Sequence, residues 1–306
     1  MSFLSILLAL LLEQARPLAP SNLVYSAHRA WVRWVVRNFD AGKVHHGWLS
    51  WVLAVAVPSL LVVAIHWVLL WNLGWLAAAA WNVAVLYVTL GFRQFSHHFT
   101  IIRDALYEGD EALAREELAR WMSIDASELP RSEMVRHVIE HSVLAAHRHV
   151  FGVFAWYSLL AALGLGPAGA VFYRLTEFVA RYVNRPLRPT SMPHSPALTV
   201  AANRAWQGVD WLPCRVTALS FAFVGSFEDA VDSWRRYEAR FPDRNDGILM
   251  AATAGAVGVK LGGPEEELGG EVPQSSHLRA VVGLVWRTVV MWMVFLALLS
   301  LARLIG

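Results

Sequence analysis

Two histidines and a glutamate at the spacing of His137, Glu140 and His141 share one face of a helix, an arrangement that can hold a zinc ion beside a carboxylate base. The pattern is short and the chain carries 12 histidines, so the competing reading is a solvated or interfacial helix face. No third ligand stands out; Glu177 is one of several carboxylates that would serve, and no residue is assigned to a metal. His97-His98 and His147-Arg148-His149 pose the same choice against polar residues at headgroup level, where apolar segments end. Arg93, Arg174 and Arg215 each stand at the edge of an apolar segment, where charge is costly unless it is paired or used. As a set they suit phosphate or carboxylate oxygens; each alone reads equally well as a side chain snorkelling to a membrane edge. The chain has no Walker loop, dinucleotide fingerprint or serine-nucleophile elbow, so phosphate binding would fall to arginines and helix N-termini. The single cysteine, Cys214, excludes an internal disulfide and a cysteine-based zinc or iron–sulfur site.

The elements that must position these residues are apolar. Of 306 residues, 56% are hydrophobic and 16% charged, and the mean hydropathy is +0.42, too apolar for an ordinary soluble protein. An all-α, multi-pass protein of the bacterial inner membrane is expected, with the lipid bilayer as its surroundings and no nucleic-acid partner; the oligomeric state is left open. Residues 48–71 and 75–92 read as spans joined by the tight Asn72-Leu73-Gly74 turn, and residues 281–304 as a C-terminal span of sufficient length. Trp67, Trp71, Trp75 and Trp81, from a total of 15 tryptophans, suit the headgroup level. Residues 3–12 lack a basic leader and a small-residue cleavage site and read as a short retained helix.

Three further apolar segments are broken: 151–172, 198–225 and 247–263. In the first, Gly166-Pro167 interrupts the run before it reaches the roughly 20 residues a spanning helix needs, so the chain is expected to turn back as a re-entrant hairpin. The positive-inside rule agrees, because only a returning segment keeps Arg174, Arg181, Arg185 and Arg188 on the side of the two earlier basic clusters. In the second, Pro213 is expected to start a helix over 215–224. The third is rich in small residues and suited to close helix packing. Residues 93–149 form a polar helical insert; within it, two cytoplasmic helices are expected over 103–148, broken near Asp125 to Pro130, with Ser132 as a cap.

Taken in order, these blocks resemble the CbiB/CobD family, the membrane-bound adenosylcobinamide-phosphate synthases of cobalamin biosynthesis. The resemblance is carried by Arg93 with His98; Leu106 with Gly109-Asp110, Ala114-Arg115, Asp125 with Ser127, and Ile139-Glu140; Gly169-Ala170 with Tyr173-Arg174; Trp211-Leu212-Pro213 with Arg215 and Thr217-Ala218-Leu219; and Asn245 with Gly247, Ala254-Gly255-Ala256 and Leu261 to Pro264. It implies joining an ATP-activated carboxyl of adenosylcobyric acid to an aminopropanol or its phosphate, with Mg²⁺ on the phosphates and acidic residues to hold it. It also implies a cytoplasm-facing pocket for a corrinoid or nucleotide, with Arg93, His98, Tyr173, Arg174, Arg215 and Asn245 as ligand-binding candidates.

The acidic motifs depart from the family. Leu144-Ala145 and Arg148-His149 stand where it has Glu-Asn and Asp-Gly, Glu177 to Ala180 where it has Asn-Thr-Leu-Asp, and Trp206-Gln207 where it has paired Asp. An early Gly-Asp-Pro block is missing near Arg16-Pro17-Leu18. These losses count against metal-dependent catalysis. Arg148 and the stretch Gly208 to Arg215 are similar instead to the AmpE proteins, inner-membrane relatives associated with β-lactamase induction. The alternative is therefore an AmpE-like signalling protein without enzymatic activity.

Overall fold

Leu, Val, Ala and Trp dominate the run from Val44, and the chain stays helical there for 30 residues in spite of Pro58. Gly74, at a φ of 82°, then reverses it into the next helix, a backbone position that glycine alone adopts without strain. The computed structural model describes residues 2–16, 18, 23–185, 194–240, 244–262 and 270–305. In chain order the helices are α1 (Ser2–Ala15), α2 (Leu23–Phe39), α3 (Val44–Leu73), α4 (Trp75–Thr89), α5 (Phe92–Glu108), α6 (Glu111–Met122) and α7 (Arg131–Ala146). A π-helical turn, His147–Phe151, leads to α8 (Gly152–Ala162), α9 (Ala168–Asn184), α10 (Pro196–Val224), α11 (Phe227–Arg240), α12 (Asn245–Val257) and α13 (Ser275–Ile305). Among the described residues the only strand-like pairing is an isolated bridge between Val259 and Glu271, so the fold is all-α. α3 and α13 are long and apolar enough to cross a membrane, about 45 Å each at 1.5 Å per residue.

The chain divides into two compact units, residues 1–91 with 152–213, and residues 92–151 with 214–306. The first is organised around Val32, Val35 and Val36 of α2, Ala54 and Val55 of α3, Phe178, Val179 and Val183 of α9, and Leu198 and Ala202 of α10. Ser195 starts α10: its hydroxyl accepts from the Leu198 N–H at 3.1 Å, while Asp40 accepts from the Ser195 backbone at 2.7 Å. Pro196 follows at the first helical position, where its missing N–H costs nothing. The Gly166-Pro167 break is present. α8 ends, the chain turns, and α9 runs back along it, with Gly152 against the Tyr173 ring and Gly169 against the Trp156 carbonyl.

α10 corrects one expectation. It does not begin anew at Pro213 but continues through it for 29 residues. Proline removes the N–H that would bond the carbonyl four residues earlier, that of Val209. The indole N–H of Trp156 in α8 donates to that carbonyl at 2.9 Å, so the helix continues without an orphaned acceptor.

In the second unit the polar insert contains a further break. Gly109, at a φ of 84°, ends α5, and Asp110 caps α6 by accepting from the Leu113 N–H at 3.0 Å. α7 starts after Pro130, which occupies the N-cap position, so Ser132 lies inside the helix instead of capping it. α4 stops at Thr89, three residues short of the expected span end, because Leu90 is extended and Gly91 separates it from α5. α11 and α12 pack closely where small residues allow it: Gly247 lies under the Tyr237 ring and Gly255 against the Asp229 carbonyl. Pro264 and the loop after it lie outside the described residues, as does most of the proline-rich run 186–196.

Candidate ligand site

In the second unit two guanidinium groups converge on the first turn of α12. Arg215, on α10, donates to the Asn245 side-chain oxygen at 3.3 Å and to Glu238 of α11 at 2.9 Å. Arg148, in the π-helical turn, donates to Asp246 at 2.5 Å. Single π-helical turns inside α-helices are frequent at functional sites. This one sets buried His147 within 3.0 Å of the buried Thr217 hydroxyl, and Phe151 edge-on to Phe221. Cys214 donates its thiol to the Asn245 carbonyl at 3.0 Å, tying the first turn of α12 to α10. Two arginines beside a helix N-terminus favour a ligand rich in phosphate or carboxylate oxygens.

Tyr173 and Arg174 belong to the first unit. Tyr173 is fully buried and donates to the equally buried Asp210 at 2.8 Å, with the Trp206 ring 5.4 Å from its own. Arg174 donates to Glu177 at 2.9 Å, and Arg181 reaches the same carboxylate from the next turn. Glu177 is 2% exposed, so two guanidiniums hold one buried carboxylate. His98, in the second unit, pairs with Glu117 at 2.6 Å and stacks on Trp121, whose ring meets His141 edge-on. Arg93 lies in α5, and its side chain is outside the described residues.

Of the candidates read from sequence, then, Arg215 and Asn245 come into contact. Arg148, Asp246 and Glu238, none of them a ligand-binding candidate from sequence, complete that group. Arg148 reads in sequence as a headgroup-level residue, and its partner lies 98 positions away. The His137-Glu140-His141 face has another use. Arg136 donates twice to Glu140, at 2.9 and 3.0 Å, and Glu140 also accepts from the Gly262 N–H at 2.8 Å. Burial, reinforced by the Arg136 charge, pulls His137 below its ordinary pKa. Glu133 lies below the usual carboxylate range through its hydrogen bond from Arg136. Among the described residues no three His, Cys, Asp or Glu side chains group to hold a metal. Glu177, Glu238 and Asp246, paired with Arg174, Arg215 and Arg148, each face a guanidinium and so do not fit a Mg²⁺ ion at those positions.

Fold and site define an all-α protein with two membrane-length helices and an arginine-lined helix N-terminus. The model of the CobD/Cbib protein family matches residues 3–289, and the chain belongs to that family. It is 31% identical over 262 residues to the cobalamin biosynthesis protein CobD of Stutzerimonas stutzeri, covering 82% of this chain and 81% of the relative. It is 33% identical to that of Chromobacterium violaceum, covering 72% and 69%, and 27% identical to that of Klebsiella pneumoniae, covering 79% and 78%. No solved structure matches.

Proposed function

We propose that this protein serves cobalamin biosynthesis in the bacterial inner membrane by binding a corrinoid or nucleotide through Arg148 and Arg215 at the N-terminus of α12. The convergence of both arginines on Asn245 and Asp246 carries this reading. α3 and α13 cross the bilayer: each exposes large apolar residues along its length, Leu60, Leu61 and Val68 on one, Val290, Val294 and Phe295 on the other. α8, only 11 residues long, enters and returns with α9; its tip exposes Leu163 and Leu165. α5 to α7 form the cytoplasmic insert. The amide-forming step implied by the family is no part of this reading, because the carboxylates beside the candidate arginines, Glu177, Glu238 and Asp246, are each paired with a guanidinium.

Equilibrium binding of adenosylcobyric acid and of ATP to the purified full chain tests this, alongside a turnover assay. Saturable binding of one of them, weakened about tenfold or more in Arg215→Gln, is expected, since a charge-assisted hydrogen bond contributes about 1.5–3 kcal/mol. Absence of binding to both removes the reading. The Arg148–Asp246 ion pair, formed where the family carries a carboxylate, favours a second reading as an AmpE-like signalling protein. Deletion would then alter the β-lactam response and leave cobalamin synthesis intact.

A further inference from the structure

α2 has three distinct faces. Val32, Val35 and Val36 bury one face in the first unit. Arg29, Arg33 and Arg37, four residues apart, form an exposed row beside it, and none of the three makes an ion pair among the described residues. Next to that row, Leu23, Ala27, Ala30 and Trp34 form an exposed apolar seam at helical spacing, with Leu23 84% and Trp34 43% exposed. Lys43, also exposed, follows just before the membrane-length α3.

We infer that α2 docks on an anionic phospholipid surface, its arginine row on the headgroup phosphates and its Leu23–Trp34 seam at the acyl boundary. A soluble face would have no use for an apolar seam, and a purely hydrocarbon contact would not tolerate three unpaired guanidiniums beside it. An interfacial helix accommodates both. A basic segment directly preceding a span is where anionic lipid is attracted, and each arginine strengthens docking about fivefold by that attraction. The orientation of α2 rests on the proposal that α3 spans the bilayer. Anionic lipid, not an acidic protein, is favoured because the cationic row and the apolar seam lie side by side, as a lipid surface requires.

The test uses the full chain with Ala30→Cys, where Cys214 is buried and the new thiol is the accessible one. The labelled protein is reconstituted into phosphatidylcholine vesicles with and without phosphatidylglycerol, and quenching by lipids doxylated near the headgroup is measured. Quenching several-fold stronger with phosphatidylglycerol is expected. It should be weakened by salt, lost in Arg29→Gln/Arg33→Gln/Arg37→Gln and kept in the corresponding triple lysine variant. Equal quenching in both vesicle types, or quenching unchanged in the triple glutamine variant, overturns the inference. So does an unquenched label that instead crosslinks to an acidic protein in cells. An alkaline carbonate wash separates the two readings: a chain retained but unquenched refutes the docking of α2, whereas a chain released but quenched in phosphatidylglycerol refutes the spanning of α3 alone.

Discussion

Trp156 donates its indole N–H to the carbonyl of Val209 at 2.9 Å, supplying the hydrogen bond that Pro213 cannot make four residues further along α10. The proline therefore stays inside a continuous helix, and the Tyr173–Asp210 contact forms on an unbroken turn of it. Trp156→Phe should leave the Val209 carbonyl unsatisfied and destabilise the protein by about 1–3 kcal/mol. Pro213→Ala in that background should recover part of the loss by restoring the backbone donor. Thermal unfolding of the two single variants and the double variant in detergent checks this, and purely additive losses would refute the link.

The same pair shows what sequence could and could not reveal. Asn72 to Gly74 and Gly166-Pro167 were legible as chain reversals because their breaking is local, set by glycine's positive φ and proline's missing donor. Pro213 carries the same local signal, yet a residue 53 positions before Val209 cancels it. The site divided likewise. Arg215 and Asn245 were found through motif blocks, whereas Arg148 needed a π-helical turn, which has no residue pattern of its own. Its ion pair with Asp246 exists only through long-range packing.

Gly169 carries the closest approach in the α8–α9 hairpin, where an added Cβ would strike the backbone carbonyl of Trp156. At Gly152 the added atom would meet a side chain, the Tyr173 ring. Backbone gives way less readily, so Gly169→Ala should cost more than Gly152→Ala, within or above the roughly 1–3 kcal/mol typical of overpacking. Comparing their unfolding midpoints in denaturant decides the order.

Burial between α2 and Phe178 pulls the His28 pKa down from 6.5 to about 4. The folded protein thus keeps this imidazole neutral where the unfolded chain takes up a proton. Above pH 6.5 both states are neutral and nothing is lost; as pH falls from there towards 4, the unfolded chain gains a proton that the fold refuses. Stability should decline across that window by at most about 3 kcal/mol from this group. His28→Leu should remove that part of the slope, measured as unfolding midpoint against pH for the two proteins side by side.

Glu177 and Asp246 both receive arginine, and the two pairs should respond very differently to truncation. Asp246 is 46% exposed, so water screens it and Arg148→Ala should cost no more than about 1 kcal/mol of stability. Glu177 is 2% exposed and is held from two sides, by Arg174 and Arg181. Losing either guanidinium leaves the other to neutralise the carboxylate, so each single alanine variant should be mild. Losing both buries an uncompensated charge, which costs about 3–5 kcal/mol. The double variant Arg174→Ala/Arg181→Ala should therefore fall well below the sum of its parts, and adding Glu177→Gln should recover most of the deficit by removing the charge itself. A double-mutant cycle on thermal stability that closes without a coupling term would show that the two arginines act independently and that Glu177 does not depend on them.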